Sequence, residues 1–172
     1  MSAEIDTFKP VYLDRIAQLT NKTNQFNLTT RRYTLAEIET ISKDSQYIGI
    51  YGRLSDRFGD NGLISIVLGR KEGATLHLDL WLMSCRVLKR DMEFAMLDAV
   101  VDRGVTAGIN TLVGYYLPTR KNGMVADHYE KLGFTRLDST APDAPVFVLS
   151  VLGYSPRNTH IKVTELIYGS SS

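Results

Sequence analysis

The sequence predicts an α+β domain with a central, mixed but mostly antiparallel sheet that is flanked by helices. Two short helical patterns come first, three β-rich runs follow, and helix and strand patterns then alternate to the end of the chain. Consecutive strands joined by short turns pair in antiparallel fashion, and the later helices cover the sheet. A chain of 172 residues with 44% hydrophobic residues is the size of one domain with its own core. We therefore expect one domain over residues 1–168 and a flexible tail over residues 169–172.

The first two helices are marked by apolar spacing and by a capping signal. Apolar residues at helical spacing in "YLDRIAQLT" predict a helix around Leu13–Leu19. Thr34 is a candidate N-cap for the second helix, and Glu37 follows three residues later, as in a capping box. The polar run "NQFNLTTRRY" lies between these two helices.

The central strands follow directly. The runs "YIGIYGRLS" and "LISIVLGRK" are separated by "DRFGDNG", whose turn-forming residues predict a hairpin. The run "TLHLDLWLMSC" is expected to be a third strand, and an amphipathic helix should begin at Met92 and end near Gly104 or Gly108.

The last third alternates between strands and a helix. After the strand "TLVGYY", Asn122 is expected to cap a helix over "GMVADHYEKL", with Gly133 in a left-handed conformation at its end. Strands near Phe134, in "VFVLSV" and in "IKVTELI" are predicted to complete the sheet.

Composition excludes several classes of protein. The net charge of +1 comes from 20 basic and 19 acidic residues without long blocks, so we expect no nucleic-acid or membrane surface. Cys85 is the only cysteine, which rules out an internal disulfide. No apolar run approaches the roughly 20 residues that cross a bilayer. We expect a cytoplasmic protein and predict no metal site.

The third strand carries unusual side chains. Alternation would place the leucines of Leu76–Leu82 on one face, in the core, and a mixed set of side chains on the other. That second set is His77, Asp79, Trp81, Met83 and Cys85. Such a set is costly to bury without partners, which favours a cleft that binds substrate through Asp79 and Trp81. The alternative is that helices cover this face and the polar groups pair internally.

The segment "RVLKRDMEF" follows Cys85 at a turn from strand to helix, where free N–H groups can hold an anion. It resembles the pyrophosphate-binding segment of Gcn5-related N-acetyltransferases (GNAT), with Arg86 at the first position of the family pattern. Lys89 and Asp91 stand at the two glycine positions, where glycine lets the backbone approach phosphates. This departure disfavours coenzyme A or acetyl-CoA. The predicted cofactor-binding residues of this segment are Arg86, Val87, Lys89 and Arg90.

The segment "NGMVADHYEKLGF" is also similar to that family. The resemblance implies that Asn122 contacts the pantetheine arm of the cofactor and that the hydroxyl of Tyr129 protonates the departing thiolate. The alternative for Tyr129 is a core aromatic residue with one hydrogen bond. His128, next to it, is a weaker candidate for a catalytic base.

Four strings together give a closer resemblance. "RIAQLTNKTNQFNLTTRRYT", "RLSDRFGDNG", "WLMSCRVL" and "KNGMVADHYEKLGF" resemble the C-terminal GNAT-like domain of FkbH-like proteins, which take part in methoxymalonyl-acyl-carrier-protein biosynthesis. In that family a haloacid-dehalogenase-type phosphatase domain precedes this one, and its DxDxT motif does not occur here. We expect this chain to correspond to the second domain alone, to begin at or inside its first strand, and to work with the phosphatase domain in cis or in trans.

The resemblance implies a route for an acyl group. A glyceryl unit from 1,3-bisphosphoglycerate becomes an enzyme thioester, loses its phosphate and passes to the phosphopantetheine thiol of an acyl carrier protein. In GNAT-like folds a pair of neighbouring strands splays apart to admit a pantetheine arm, and Cys85 ends one strand of that pair. We therefore predict Cys85 as the acyl-carrying nucleophile, with nearby cations favouring its thiolate and His128 or the more distant His77 as base. The alternative is an inert buried thiol.

The loop "NQFNLTTRRY" is expected to border the acceptor side of the cleft. Arg31 and Arg32 can offer charge-assisted hydrogen bonds to a phosphate, although only one arginine of an adjacent pair is expected to point inward. Asn24, Asn27 and Thr30 can bind hydroxyl groups. The alternative is a loop that bonds to itself and leaves its arginines in solvent.

Three functions compete at this stage. The first is an enzyme domain that transfers a glyceryl group to a carrier-protein thiol. The second is an ordinary acetyl-CoA-dependent N-acetyltransferase, and the third is a non-catalytic module that docks the carrier protein or the phosphatase domain.

Overall fold

The computed structural model describes residues 2–57, 59–84, 91–138 and 143–164. Within these ranges eight strands form one sheet in the order β6-β7-β5-β4-β3-β2-β1-β8. In that sheet only β4 with β5 and β1 with β8 pair in parallel, and the other neighbours are antiparallel. The predicted α+β class with a mostly antiparallel sheet is confirmed.

The elements follow one another in this order: β1 Ser2–Thr7, a 3₁₀ turn Pro10–Tyr12, α1 Leu13–Lys22, α2 Leu35–Ser42, β2 Tyr47–Asp56, β3 Gly59–Glu72, β4 Thr75–Met83, α3 Met92–Thr106, β5 Thr111–Tyr115, a 3₁₀ turn Gly123–Val125, α4 His128–Lys131, β6 Thr135–Arg136, β7 Val146–Ser150 and β8 Lys162–Thr164. Among the described residues, no helix is both long and apolar enough to cross a membrane.

Helix α2 begins with the predicted capping box. The backbone N–H of Glu37 donates to the Thr34 hydroxyl at 3.1 Å, and the N–H of Thr34 donates to the Glu37 carboxylate at 2.9 Å. Two of the free donors at this helix start are thereby satisfied.

The single helix predicted over residues 123–132 is wrong. The chain forms a 3₁₀ turn at Gly123–Val125 and then the short helix α4, and the Asn122 side chain does not cap either of them. The reason is that the amide of Asn122 is engaged elsewhere, as described below. At the end of α4, Gly133 adopts the predicted left-handed conformation with φ 93°, and Phe134 N–H bonds back to the carbonyl of Tyr129 at 2.9 Å.

A β-bulge at Asp79 overturns the predicted face assignment of β4. Leu68 pairs with Leu80 but the next residue of β3, Gly69, pairs with Leu78, so Asp79 is the extra residue. A bulge shifts the alternation of side chains by one residue. The four leucines are therefore divided between the two faces of the sheet instead of sharing one.

Both faces of β4 are covered. Leu76, Leu78, Trp81 and Met83 belong to the larger core, which lies between the sheet and α3 and α4. Leu80 and Leu82 belong to a second core under α1 and α2. Trp81 and Met83 are fully buried, so the predicted cleft on this face is wrong for these two residues, and the covered-face alternative describes them.

Candidate functional site

Strands β4 and β5 diverge halfway along their length. They pair in parallel from Thr75 with Thr111 to Leu78 with Gly114. Beyond the bulge at Asp79, β4 continues without pairing to β5. A gap therefore opens between the two strands, towards the carboxyl end of β4.

The chain's own segment Phe26–Thr29 fills this gap. The N–H of Leu28 donates to the carbonyl of Trp81 at 3.0 Å, and the N–H of Met83 donates to the carbonyl of Phe26 at 3.0 Å. These two bonds frame an antiparallel bridge between residues 27 and 82. All four residues of the segment are buried. The free edge of β4 is thus paired with a short strand-like piece of the loop between α1 and α2.

Asn122 holds the other side of the segment. The N–H of Leu117, just after β5, donates to the carbonyl of Leu28 at 2.8 Å. The Asn122 amide donates at 3.0 Å to the carbonyls of Asn27 and Leu117, and its oxygen accepts from Thr119 N–H at 2.7 Å. Asn122 is fully buried, and these bonds give it a structural role in this arrangement. Its predicted contact with a cofactor stays a prediction.

Arg32 and Asn24 also bond within the loop. The Arg32 guanidinium donates to the carbonyls of Thr20 at 2.6 Å and Thr23 at 3.3 Å, and to the side-chain oxygen of Asn24. These bonds tie the loop to the carboxyl end of α1, where free carbonyl groups favour a cation.

Asn27 and Thr30 shape the end of the segment. The Asn27 amide donates to the carbonyl of Thr23 at 3.1 Å, and its oxygen accepts from Thr30 N–H at 2.9 Å. Thr30 has φ 52°, a left-handed conformation that is uncommon for a β-branched residue. The self-bonded alternative thus describes Asn24, Asn27, Thr30 and Arg32 in this structure, and their predicted substrate contacts remain untested.

An aromatic cluster lies beside the filled gap. The Trp81 ring contacts the rings of His128 at 4.6 Å and Tyr129 at 6.0 Å between centroids, and His128 also contacts Phe26 at 5.2 Å. Tyr129 packs directly on β5, because a Cβ at Gly114 would lie 2.6 Å from its ring. Glycine at this position is therefore what lets α4 approach the diverging strands.

This cluster contains buried polar atoms without partners among the described residues. They are Trp81 Nε1, His128 Nε2 and the Tyr129 hydroxyl, and Glu93 Oε2 at the start of α3 is in the same condition. Buried polar atoms are normally hydrogen-bonded, so each of these needs an explanation.

Burial sets the ionisation of these groups. It lowers the pKa of His128 to about 3, with a smaller contribution from the Lys131 cation, and it raises the pKa of Tyr129. Burial also raises the pKa of the Glu93 carboxyl. His128 is therefore neutral at neutral pH and a weak proton acceptor, which works against the predicted base role. Tyr129 keeps its proton, as a general acid must.

On the opposite side of the bulge lies a paired polar group. Asp79 is buried and its carboxylate accepts from Arg70 at 3.1 Å, while its carbonyl accepts from the Thr29 hydroxyl at 2.7 Å. His77 Nδ1 lies 2.6 Å from the Tyr115 hydroxyl. The internal-pairing alternative thus holds for Asp79, and its predicted substrate contact would have to compete with Arg70.

Arg31 has different surroundings from Arg32. It is exposed, and its charge lowers the pKa values of Tyr33 and Tyr115, although burial, the larger effect, raises both and brings Tyr33 to about 12. The predicted contact of Arg31 with a phosphate stays a prediction.

Several predicted residues lie outside the described ranges: Cys85, Arg86, Val87, Lys89 and Arg90. The described residues on either side of this segment are Ser84 and Asp91. Asp91 has φ 57°, the left-handed conformation that the glycine of the family pattern would adopt without strain. It stands at the N-cap position of α3, but its side chain makes no capping bond.

Several residues that the structure places here had no predicted site role. Phe26 and Leu28 line the gap. The feature of the sequence that could have pointed to them is an apolar residue at every second position within a polar run. No local sequence pattern points to Glu93, Arg70 or Tyr115, because only the pairing of distant strands and helices brings them to the site.

Solved structures identify the fold. The chain matches the GNAT domain of PAT from S. lividans with a TM-score of 0.66 and 12% identity, over 85% of this chain and 89% of that one. It matches spermidine N-acetyltransferase from Vibrio cholerae, in complex with CoA and spermine, with a TM-score of 0.64 and 11% identity, over 88% and 96%. PaiA N-acetyltransferase from Thermoplasma acidophilum, in complex with coenzyme A, gives 0.62 and 15%, over 87% and 99%. No protein-family model and no curated protein sequence matches the chain. The chain has the GNAT fold.

The sequence resemblance implied that a pantetheine arm enters between two splayed strands, and β4 and β5 are the strands that diverge in this chain. In this chain the segment Phe26–Thr29 already forms hydrogen bonds with the carbonyl of Trp81, the N–H of Met83 and the carbonyl of Asp79. An arm along β4 would need the same groups. The residues present therefore do not fit a pantetheine arm inside the gap.

Proposed function

We propose that this chain is an acyl-transfer domain in which Cys85 carries the acyl group as a thioester and passes it to the phosphopantetheine thiol of an acyl carrier protein. Following the resemblance to FkbH-like proteins, the acyl group is a glyceryl unit and the partner is a haloacid-dehalogenase-type phosphatase domain.

The observation that carries this proposal is the set of unpartnered polar atoms beside the carboxyl end of β4. Trp81 Nε1, His128 Nε2 and the Tyr129 hydroxyl are buried together, next to the strand that leads to Cys85. A glyceryl group offers a carbonyl and hydroxyls, which are the acceptors and donors that such atoms lack.

The filled gap supports covalent delivery. Because the segment Phe26–Thr29 uses the edge of β4, a free coenzyme A arm has no place along that strand. The proposed carrier of the acyl group is then Cys85, the one cysteine in the chain, which follows the end of β4 in the sequence. The same argument disfavours the ordinary acetyl-CoA-dependent N-acetyltransferase.

Two transfers move the acyl group. In the first, the Cys85 thiolate attacks the carbonyl carbon of the acyl phosphate, a C–S bond forms, the C–O bond to phosphate breaks, and phosphate leaves with the electron pair. The thiol proton has gone to solvent, and the product is a 3-phosphoglyceryl thioester. Hydrolysis of its C3 phosphate ester by water on the phosphatase domain then releases inorganic phosphate and leaves a glyceryl thioester.

In the second transfer the arm's thiol loses its proton to solvent and its thiolate attacks the thioester. The new C–S bond forms, the bond to Cys85 breaks, and Cys85 leaves as a thiolate that takes up a proton. Tyr129, whose hydroxyl has no partner among the described residues, is the proposed donor of that proton.

Mass spectrometry tests the proposal directly. The full chain is incubated with 1,3-bisphosphoglycerate, with and without a haloacid-dehalogenase-type phosphatase domain, and the peptide that contains Cys85 is examined. We expect a 3-phosphoglyceryl adduct without the phosphatase domain and a glyceryl adduct with it. Hydroxylamine should remove both adducts, and the Cys85→Ser variant should lack both. An adduct on another residue, or none under either condition, would overturn the proposal and favour the non-catalytic docking module.

A further inference from the structure

Two shallow cavities flank the outer side of the filled gap. One, of about 570 Å³, is lined by Lys22, Asn24, Ser84 and Lys121 among others. The second, of about 270 Å³, shares Asn24 and Lys121 with the first. Ser84 is the last described residue before Cys85. The two cavities therefore form one continuous depression beside the carboxyl end of β4, which we name the outer depression.

The outer depression is basic. Its lining includes four cationic side chains and no acidic one, although the whole chain carries 20 basic and 19 acidic residues. The four are Lys22, Arg32, Arg120 and Lys121. A cluster of cations without counter-charges raises the local positive potential and attracts anions.

The backbone under these cations is held in place. The Thr119 hydroxyl accepts from the N–H groups of Lys121 and Asn122, both at 3.2 Å, and Asn122 in turn holds Thr119 and the filling segment. On the other wall, Arg32 is fixed through Thr20 and Asn24. Because the backbone and Arg32 are held in place, this part of the depression loses less conformational entropy on binding than a mobile loop would.

We propose that the outer depression binds the phosphate of a 4′-phosphopantetheine arm and so brings the arm to β4 from outside the gap. This inference rests on the proposed function for the identity of the ligand. The filled gap closes the inner route along β4, and the depression is the basic cavity that reaches Ser84. A phosphate diester or monoester is the anion that Lys and Arg side chains bind with charge-assisted hydrogen bonds.

NMR titration of the full chain tests this placement. The probe is 4′-phosphopantetheine, and pantetheine without the phosphate is its matched control. We expect the first compound to shift the amides of Lys22–Gln25 and Thr119–Lys121. The second should bind at least about tenfold more weakly, the effect of losing one charge-assisted contact. Equal binding of the two compounds, or shifts confined to other amides, would overturn the proposal.

Charge reversal at the depression provides a second test. The double variant Lys22→Glu, Lys121→Glu should raise the dissociation constant for 4′-phosphopantetheine by about tenfold or more. The control Lys43→Glu, Arg136→Glu makes the same change in net charge at exposed positions outside the depression and should leave the constant unchanged. Equal effects in both variants would mean that binding depends on the net charge of the protein and not on the depression, which would refute the site.

A third probe separates the sources of phosphate. Tighter binding of 3-phosphoglycerate than of 4′-phosphopantetheine would assign the depression to the substrate's phosphate and overturn the assignment to the arm. None of these readouts requires acyl transfer. If the depression bound the phosphate but no Cys85 adduct formed, only the proposed function would be refuted. If the adduct formed but the depression did not bind the phosphate, only this inference would be refuted.

Discussion

The backbone N–H of Leu28 donates to the carbonyl oxygen of Trp81 at 3.0 Å, although α2, β2 and β3 all lie between these two residues in the chain. This bond makes the loop between α1 and α2 a member of the sheet at the place where β4 and β5 diverge. The consequence is that the gap between these two strands is closed by the chain itself.

We predict that free coenzyme A does not bind along β4. Expelling the segment would expose Phe26 and Leu28, at about 1.5–3 kcal/mol each, and break three backbone hydrogen bonds, at about 0.5–1.5 kcal/mol each. A ligand of micromolar affinity gains about 8 kcal/mol, so a cost of roughly 5 kcal/mol would move it to the millimolar range. Isothermal titration calorimetry with coenzyme A should show no saturable binding at sub-millimolar concentrations.

Hydrogen exchange locates any binding that is seen. The backbone N–H groups of Leu28 and Met83 should stay protected from exchange in the presence of coenzyme A. The reason is that the N–H of Leu28 remains bonded to Trp81 of β4 and the N–H of Met83 remains bonded to Phe26 of the segment. Saturable micromolar binding together with faster exchange at Leu28 would contradict the closed gap.

We predict that Asn122→Ala destabilises the protein by about 2–3 kcal/mol, because buried backbone groups lose their partners at about 1–3 kcal/mol each. The variant removes the donors to the carbonyls of Asn27 and Leu117 and the acceptor for Thr119 N–H. Urea unfolding followed by circular dichroism measures the loss. Asn110→Ala, at an exposed position, is the control and should change the free energy of unfolding by less than about 0.5 kcal/mol.

Asn122 shows which features can be predicted from the sequence and which cannot. The family resemblance singled out Asn122, and the local pattern placed it at the start of a helix that the structure divides into a 3₁₀ turn and α4. A capping role followed from local pattern alone. The observed bonds join Asn122 to Asn27, 95 residues away, and no local pattern can predict such a contact.

The strand β4 gives a second lesson. Its length and β-character were predictable from its composition, as were the helix and strand order around it. Its face assignment failed because a single bulge at Asp79 shifts the alternation, and no residue within β4 itself marks the bulge. The register shift lies opposite Leu68 and Gly69 of β3, a pairing that the sequence of β4 cannot show.

We predict that Gly114→Ala destabilises the protein by about 1–3 kcal/mol, the usual cost of overpacking a core. The added Cβ would lie 2.6 Å from the Tyr129 ring and push α4 away from the diverging strands. Gly123→Ala is the matched control, since nothing lies within 4 Å of its added Cβ and its φ is not positive. Thermal unfolding of both variants measures the difference, and equal midpoints would contradict the close packing of Tyr129 on β5.

We predict that His128 makes the protein less stable in mild acid. Burial lowers the pKa of His128 to about 3 in the folded state, whereas an unfolded histidine titrates near its ordinary value of 6.5. Below pH 6.5 the unfolded chain therefore takes up a proton that the folded chain refuses, so stability is full above that pH and falls as the pH drops towards 3. The loss between pH 7 and pH 5 should be about 2 kcal/mol from this group.

Urea unfolding of His128→Gln at the two pH values isolates this contribution. The substitution removes a buried ring and lowers stability at both values, so the informative quantity is the difference between pH 7 and pH 5, which should shrink by about 2 kcal/mol relative to the wild type. His160→Gln, at an exposed histidine, should keep the wild-type difference. If His128→Gln kept it as well, the imidazole would have to be protonated in the folded protein, and the neutral, buried ring between Trp81 and Phe26 would be refuted.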